Sequence, residues 1–405
     1  MGVDGELGHA ERKVRRAGRA GADEVPGSVD KASRRRSAAA GTRSMASRRW
    51  LVFLRSLFRA GLPSAMALFA CTVLLTGCGL TPGGASREKH TRELFAMDTY
   101  MTLTVYDGDG EAALDAAAEE IRRLERLLST GDQDSEVAVL NREGGGLLSE
   151  DAAYLWKRSL EICRETDGAF DVTIYPVMRA WGFADGNFRV PGQEELEELT
   201  ARVDASMAAW DEEQGRLTLP DRVEVDFGGI AKGYAGDRLA EILRRHGVES
   251  ALLNLGGNVR LVGCKPDGVD FRIGIRDPEG GNDPIGVLSA ADVTVVTSGG
   301  YERFFEEGGV TYHHILDPAT GRPADKGLRS VTVVCGDGTL ADGYSTALFV
   351  MGTEGAAEFW RERSKAFDMV LVAEDGAIYV TEGLNGCFSS ERPFEVLNAD
   401  GREQK

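Results

Sequence analysis

Alternating apolar and polar side chains mark the first strand of the folded body: Met101, Leu103 and Val105 alternate with Thr102 and Thr104, and Asp107-Gly108 closes the run. A spacing of three and four follows at once. Leu114, Ala117, Ile121, Leu124, Leu127 and Leu128 recur with charges between them, which predicts an amphipathic helix over 112–128. Further helices are expected over 151–166, 193–199, 231–246, 342–351 and 356–364, the last two separated by Gly352. Short apolar runs bounded by turn residues predict strands at 223–226, 250–254, 259–262, 271–275, 293–298, 330–335, 369–373 and 377–381. Helices and strands interleave without strict alternation, so the expected class is α+β. One compact domain over 93–390 would carry a mixed β-sheet with packed helices, and 391–405 reads as a polar tail.

A different pattern stands ahead of this body. Arg48, Arg49, Arg55 and Arg59 precede an uncharged stretch, Ala60 to Leu80, whose apolar heart ends in Leu75-Thr76-Gly77-Cys78. A charged segment, an apolar segment and small residues before a cleavage point make up a secretory signal. The order Leu-Thr-Gly-Cys resembles a bacterial lipobox, in which the cysteine is acylated and becomes the first residue of the mature protein. The resemblance implies a signal peptide over 45–77, an acylated Cys78 and a flexible tether over 78–92 with Pro82, Gly83, Gly84 and Ser86. The domain would then be lipid-anchored to the cell membrane on its extracytoplasmic face. Residues 1–44 lack apolar periodicity and read as a basic disordered leader or an over-extended gene start.

Charge narrows the partners. The chain carries a formal −18, yet residues 1–59 hold 14 Lys/Arg against 6 Asp/Glu, so the body is more acidic than the total suggests. With no basic stripe and no interleaved aromatics, nucleic acid is excluded as a partner. An anionic substrate needs a local device here, a cation or a set of backbone amides. Cys163, Cys264, Cys335 and Cys387 are spaced unlike any zinc site and are expected to be buried thiols.

Three segments carry candidate chemistry. Asp226-Phe227-Gly228-Gly229-Ile230-Ala231-Lys232-Gly233-Tyr234 leads from an expected strand into a helix, where free backbone N–H groups and the helix dipole favour anions. It lacks the Gly-Lys-Ser/Thr of a P-loop, and by itself also fits a tight strand-to-helix turn. Asp342 and Thr346 lie four apart at the expected start of a helix, so their oxygens share one face; carboxylate plus hydroxyl suits Mg²⁺, although Asp342 alone also fits an N-cap. His313 and His314 precede Ile315-Leu316-Asp317-Pro318, and an imidazole is a natural general base. A surface pair on a strand is the alternative.

Taken in order, these segments resemble the FAD:protein FMN transferases, the ApbE family of flavin transferases, from Met97 to Thr346. The matching stretches are Met97-Asp98-Thr99; Gly168-Ala169-Phe170-Asp171-Val172-Thr173 with Trp181-Gly182-Phe183; the Asp226–Tyr234 loop; Asn254-Leu255-Gly256-Gly257-Asn258; and His313–Pro318 leading to Asp342–Ala347. The resemblance implies transfer of the FMN half of FAD to a Ser or Thr hydroxyl of an acceptor protein, a membrane redox component, with release of AMP. It implies that Met97, Ala169, Phe170, Asp171, Asp226, Lys232 and Ile315 line the FAD site. Gly229, through its carbonyl, with Asp342 and Thr346 would hold Mg²⁺, and His314 would take the acceptor's proton. Three positions depart from the family pattern: Gly300, Gly343 and Gly131, the last standing after Leu128-Ser129-Thr130 where an aromatic is frequent. An uncovered pyrophosphate admits water. Hydrolysis of FAD to FMN and AMP is therefore one alternative, and a non-catalytic flavin-binding lipoprotein is another.

Overall fold

The hairpin that opens the folded body starts earlier than its apolar alternation suggests. Strand β1 (His90–Ala96) pairs antiparallel with β2 (Thr99–Val105), placing Phe95 opposite Tyr100. Residues 90–92 therefore belong to the sheet and not to a tether. Their side chains are polar, and the ladder together with an Arg92–Asp115 ion pair at 2.7 Å holds them, so no apolar pattern announces the strand. The computed structural model describes residues 14–16, 88–281, 283–363 and 366–401; the signal reading, Cys71 and Cys78 lie outside the described residues.

Helices α1 (Gly110–Leu128), α2 (Glu136–Glu143), α3 (Glu150–Glu165), α4 (Tyr175–Trp181), α5 (Gln193–Thr200) and α6 (Ala231–Arg245) come next. Strands β3 (Ala251–Leu255), β4 (Asn258–Val262), β5 (Phe271–Arg276), β6 (Pro284–Ala290), β7 (Thr294–Gly299), β8 (Arg303–Glu307), β9 (Val310–His313) and β10 (Leu328–Cys335) follow. The chain continues with α7 (Gly338–Arg363), β11 (Asp368–Ala373), β12 (Ile378–Thr381), β13 (Phe388–Ser389) and β14 (Glu395–Leu397).

Nine strands form one sheet in the order β14-β12-β11-β10-β7-β4-β3-β2-β1. Neighbours are antiparallel except β12 and β14, whose parallel pairing makes the sheet mixed. Strand β14 lies in the stretch expected to be a polar tail: Leu397 is buried opposite Thr381, a contact that three residues of local pattern could not disclose. The α+β class stands, and the described residues belong to one compact unit.

The main core lies on the sheet face that carries Leu103 and Leu253, where Ile121 of α1, Leu239 of α6 and Leu348 of α7 are fully buried. Each such side chain contributes roughly 1.5–3 kcal/mol on burial. On the other face, Ile275, Leu288 and Phe388 of the small β5–β6–β13 sheet pack on Val295, Val334 and Val372. A third cluster joins α4 and α5 to the β8–β9 hairpin through Trp181, Phe183, Leu196 and Phe305, and the Trp181 Nε1–H donates to Gly321 O at 2.7 Å.

Two local expectations fail for physical reasons. Residues 223–226 form no ladder, because Val225 exchanges both main-chain hydrogen bonds with the Asn141 side chain at 2.8 Å and Asp226 N–H donates to Val172 O at 2.8 Å. Helix α7 begins at Gly338, not 342: Asp237 accepts from Gly338 N and Thr339 N at 2.8 and 3.1 Å, and Asp337 accepts from Leu340 N at 2.8 Å. Asp342 is therefore not the N-cap. The helix runs on to Arg363 past a break at Gly352, whose φ of 80° favours glycine. The cysteines are mixed rather than uniformly buried. Cys335 is buried, Cys163 and Cys264 are half-buried and Cys387 is exposed, all as free thiols.

Candidate functional site

The glycine-rich loop owes one of its glycines to a helix crossing. A Cβ on Gly233 would stand 2.0 Å from Gly338 O and 2.7 Å from Asp342 Cβ, so only glycine lets α6 and α7 touch here. That contact brings Gly233 N–H to 2.8 Å from Asp342 Oδ2. Four residues earlier, a Cβ on Gly229 would stand 3.0 Å from the Phe170 ring and 3.9 Å from Thr346 Oγ1. Gly229, Asp342 and Thr346 are thus brought together, with Phe170 beside them.

Asp342 is 4% exposed, and among the described residues only Gly233 N–H is paired with its carboxylate. A buried charge without a cation is costly. Carboxylate, hydroxyl and a nearby main-chain carbonyl form a hard-oxygen donor set, which fits Mg²⁺ and leaves positions for water or phosphate. Among the described residues no three His, Cys, Asp or Glu side chains gather around one point, so a cation here would rest on a single carboxylate.

The second part of the site lies around the β8–β9 hairpin. Arg303 O accepts from His314 N–H at 3.0 Å and lies 3.2 Å from His314 Nδ1. A carbonyl only accepts, so Nδ1 carries the hydrogen and Nε2 is left with its lone pair, the tautomer a general base needs. Burial, and then the Arg303 charge, holds the His314 pKa well below the usual imidazole range, so the ring is neutral near pH 7. Asp226 accepts from Gly228 N–H at 2.8 Å and Lys232 Nζ donates to Gly228 O at 3.3 Å. Burial pushes the Asp226 carboxyl above its ordinary range, opposed by Gly228 N–H and the charges of Arg303 and Lys232.

The neighbouring histidine does something else. His313 Nε2 bonds Ala324 O at 3.0 Å, and its ring meets Phe349 edge-on at 5.4 Å. Gly300 faces that ring: a Cβ there would come 2.9 Å from His313 Cδ2, which accounts for one departure from the family pattern. A cleft of about 770 Å³ opens on this side, lined by Tyr301, His313, Arg329 and Phe349 among others, and contains none of the expected FAD or metal residues.

The remaining expected residues divide. Met97 and Asp98 turn the β1–β2 hairpin with φ of 48° and 60°, and Met97 N–H donates to Glu125 Oε1 at 2.8 Å. Beside them, a Cβ on Gly256 would sit 2.0 Å from Thr99 Oγ1, so the Asn254–Asn258 turn abuts the same hairpin. Ala169 is half-buried, while Phe170 and Ile315 are buried. Asp171 is spent on structure. Its Oδ1 accepts from Thr173 N at 2.8 Å and Thr173 Oγ1 at 2.6 Å, and its Oδ2 accepts from Ala205 N at 2.9 Å. Only its main chain is left to meet a ligand. Sequence reasoning missed Arg303, Asn141, and the Ser298–Ser345 hydroxyl pair at 2.8 Å that ties β7 to α7. Nothing in their local spacing signals them.

The profile of the ApbE family matches residues 97–371. The chain is 32% identical over 334 residues to a protein of Treponema pallidum named FAD:protein FMN transferase, covering 77% of this chain and 92% of that one. It is 29% identical to the protein of that name from Escherichia coli K12, covering 76% and 93%. Among solved structures, the ApbE protein of Thermotoga maritima superposes with a TM-score of 0.71 at 34% identity, over 76% of this chain and all of that one. The flavin transferase ApbE of Vibrio cholerae gives 0.66 at 26% identity, over 75% and 99%.

Proposed function

The chain belongs to the ApbE family and is an FAD:protein FMN transferase; from that premise we propose that it uses Mg²⁺ to pass FMN to a Ser or Thr hydroxyl of an extracytoplasmic acceptor, releasing AMP. The acceptor oxygen forms a bond to the FMN phosphorus, the bond from that phosphorus to the bridging oxygen breaks, and AMP leaves with the electron pair. His314 Nε2 takes the hydroxyl proton. The observation that carries this reading is the Nδ1 contact to Arg303 O, which reserves Nε2 for that task. Asp342 and Thr346 through side chains and Gly229 through its carbonyl would hold the cation, which when bound neutralises pyrophosphate charge. Phe170 and Ile315 give the site buried apolar walls, which limits water. Acylation of Cys78 would keep the enzyme at the membrane near a redox acceptor. Family membership sets aside the non-catalytic alternative.

Hydrolysis stays as a second reading because of Gly131. That residue is exposed, and a Cβ there would meet nothing nearer than Ser129 Oγ at 3.8 Å, so the loop leaves room for water. The deciding experiment mixes the full chain in detergent with FAD, Mg²⁺ and a candidate acceptor, and measures both AMP and in-gel flavin fluorescence of denatured protein. A fluorescent acceptor band matched by AMP supports transfer. AMP without any band overturns it in favour of hydrolysis.

A further inference from the structure

Arg303 lies outside the segments that carry the family resemblance, yet it meets the site twice. Its carbonyl receives the His314 main chain and ring, at 3.0 and 3.2 Å. Its guanidinium donates through Nη2 to Phe183 O at 2.7 Å, and the Phe183 ring lies edge-on to the His314 ring at 6.4 Å. Phe183 is 3% exposed in the cluster with Trp181 and Phe305, so the anchor is firm. Among the described residues no carboxylate pairs with Arg303, although its chain neighbour Glu302 pairs with Arg276 at 3.5 Å. Anchored through one nitrogen and in ion-pair contact with no carboxylate among the described residues, Arg303 meets Asp226 only at longer range and keeps the remaining N–H groups of its fork for a ligand. A planar fork of that kind matches phosphoryl oxygens.

We propose that Arg303 is a phosphate-binding and positioning residue of this site: its guanidinium, aimed by Phe183 O, binds the FAD pyrophosphate next to His314, while its carbonyl fixes the His314 ring. The inference rests on the reading of FAD as substrate and adds a residue to it. The charged groups around His314 are Arg303 and Lys232, with His313 beside it in the chain, and Asp226 faces the same two cations. Removing the guanidinium therefore acts on two observables at once. It weakens the hold on the diphosphate, and it removes a positive charge that adds to burial in disfavouring the protonated imidazole.

The test compares the native chain with Arg303→Met and Arg303→Lys, measuring FAD affinity by flavin fluorescence and the His314 ring titration by NMR without FAD. Arg303 is exposed and keeps its carbonyl in every variant, so thermal melting should be near native. Arg303→Met is expected to weaken FAD binding about tenfold, the loss of one charge-assisted hydrogen-bonded contact, and to move the His314 titration upward. Arg303→Lys keeps the charge but not the planar fork, so its FAD affinity should fall between those of the native chain and Arg303→Met, with a titration near native. Native affinity in Arg303→Met, or a lysine variant as weak as the methionine one, overturns the inference. A native chain that neither binds FAD nor releases AMP from it would instead remove the functional reading beneath.

Discussion

The two halves of the site are built on opposite principles. At the α6–α7 crossing, two long buried helices touch through Gly233 and Gly338, and the Asp342 carboxylate is held by a main-chain N–H from the other helix. At the β8–β9 hairpin, two short strands lead into His314, the proposed base, and the aromatic cluster of Trp181, Phe183 and Phe305 packs beneath them. The first half suits a cation, which needs oxygens fixed to tenths of an ångström. The second suits a proton acceptor, which needs a tautomer set by one hydrogen bond and a partly open face for a protein acceptor to approach. The contrast is between a carboxylate held at a close helix crossing and an imidazole held at the end of a hairpin.

The largest expected effect breaks the crossing. Asp342→Ala should lower AMP release from FAD by about a thousandfold. Its melting temperature should be close to native, because removing a buried carboxylate is offset by leaving Gly233 N–H without its acceptor; a variant that still turns over would refute the metal role. Next, on the hairpin, His314→Gln should cut transfer to acceptor by about a hundredfold or more. The native pH–rate profile should show no loss of transfer near pH 6.5, where a free imidazole titrates; transfer should fall only as acid passes the lowered pKa of His314. The sign for stability is the same: the unfolded imidazole binds its proton first as pH falls, so this group costs stability on acidification, and the glutamine variant should lose less stability in acid. A native acid limb at the ordinary imidazole value would count against burial and Arg303 as the controlling influences.

A third test sharpens the crossing without touching a ligand. Gly233→Ala places a methyl 2.0 Å from Gly338 O; it should cost about 3 kcal/mol in urea unfolding and carry Mg²⁺ affinity down with it. Loss of stability with unchanged metal affinity would separate helix packing from the site. The smallest effect belongs to His313→Gln, which removes a ring packed on Phe349 and bonded to Ala324 O. About 1 kcal/mol of stability and near-native transfer are expected. A large loss of turnover would mean that the two adjacent histidines do not divide as the geometry indicates.

Much of this was open to a reader of the chain alone. The three-and-four spacing of Leu114 to Leu128 specified α1 to within two residues, because its buried face is written locally. The interleaving of apolar runs gave the α+β class, and the glycine loop, the Asp342–Thr346 spacing and the histidine pair marked the places where chemistry collects. What stayed hidden follows one pattern. His90–Arg92 and Glu395–Leu397 join the sheet through partners supplied elsewhere, and Val225 satisfies its backbone on the Asn141 side chain 84 residues away.

The sequence by itself determined which residues are able to act: a carboxylate, a hydroxyl four residues on, a run of glycines, and two adjacent imidazoles. Only the tertiary structure decided what surrounds each of them. It bonded His313 to Ala324 O and packed its ring on Phe349, left His314 with a free Nε2, spent the Asp171 carboxylate on Thr173 and the distant Ala205, and set Asp342, 109 residues from Gly233, against that residue's N–H instead of at a helix end. The physical reason is range. Periodicity, capping and turn chemistry act over a few residues and are written along the chain, whereas a hydrogen bond or buried charge is settled by whichever distant segment packs against it.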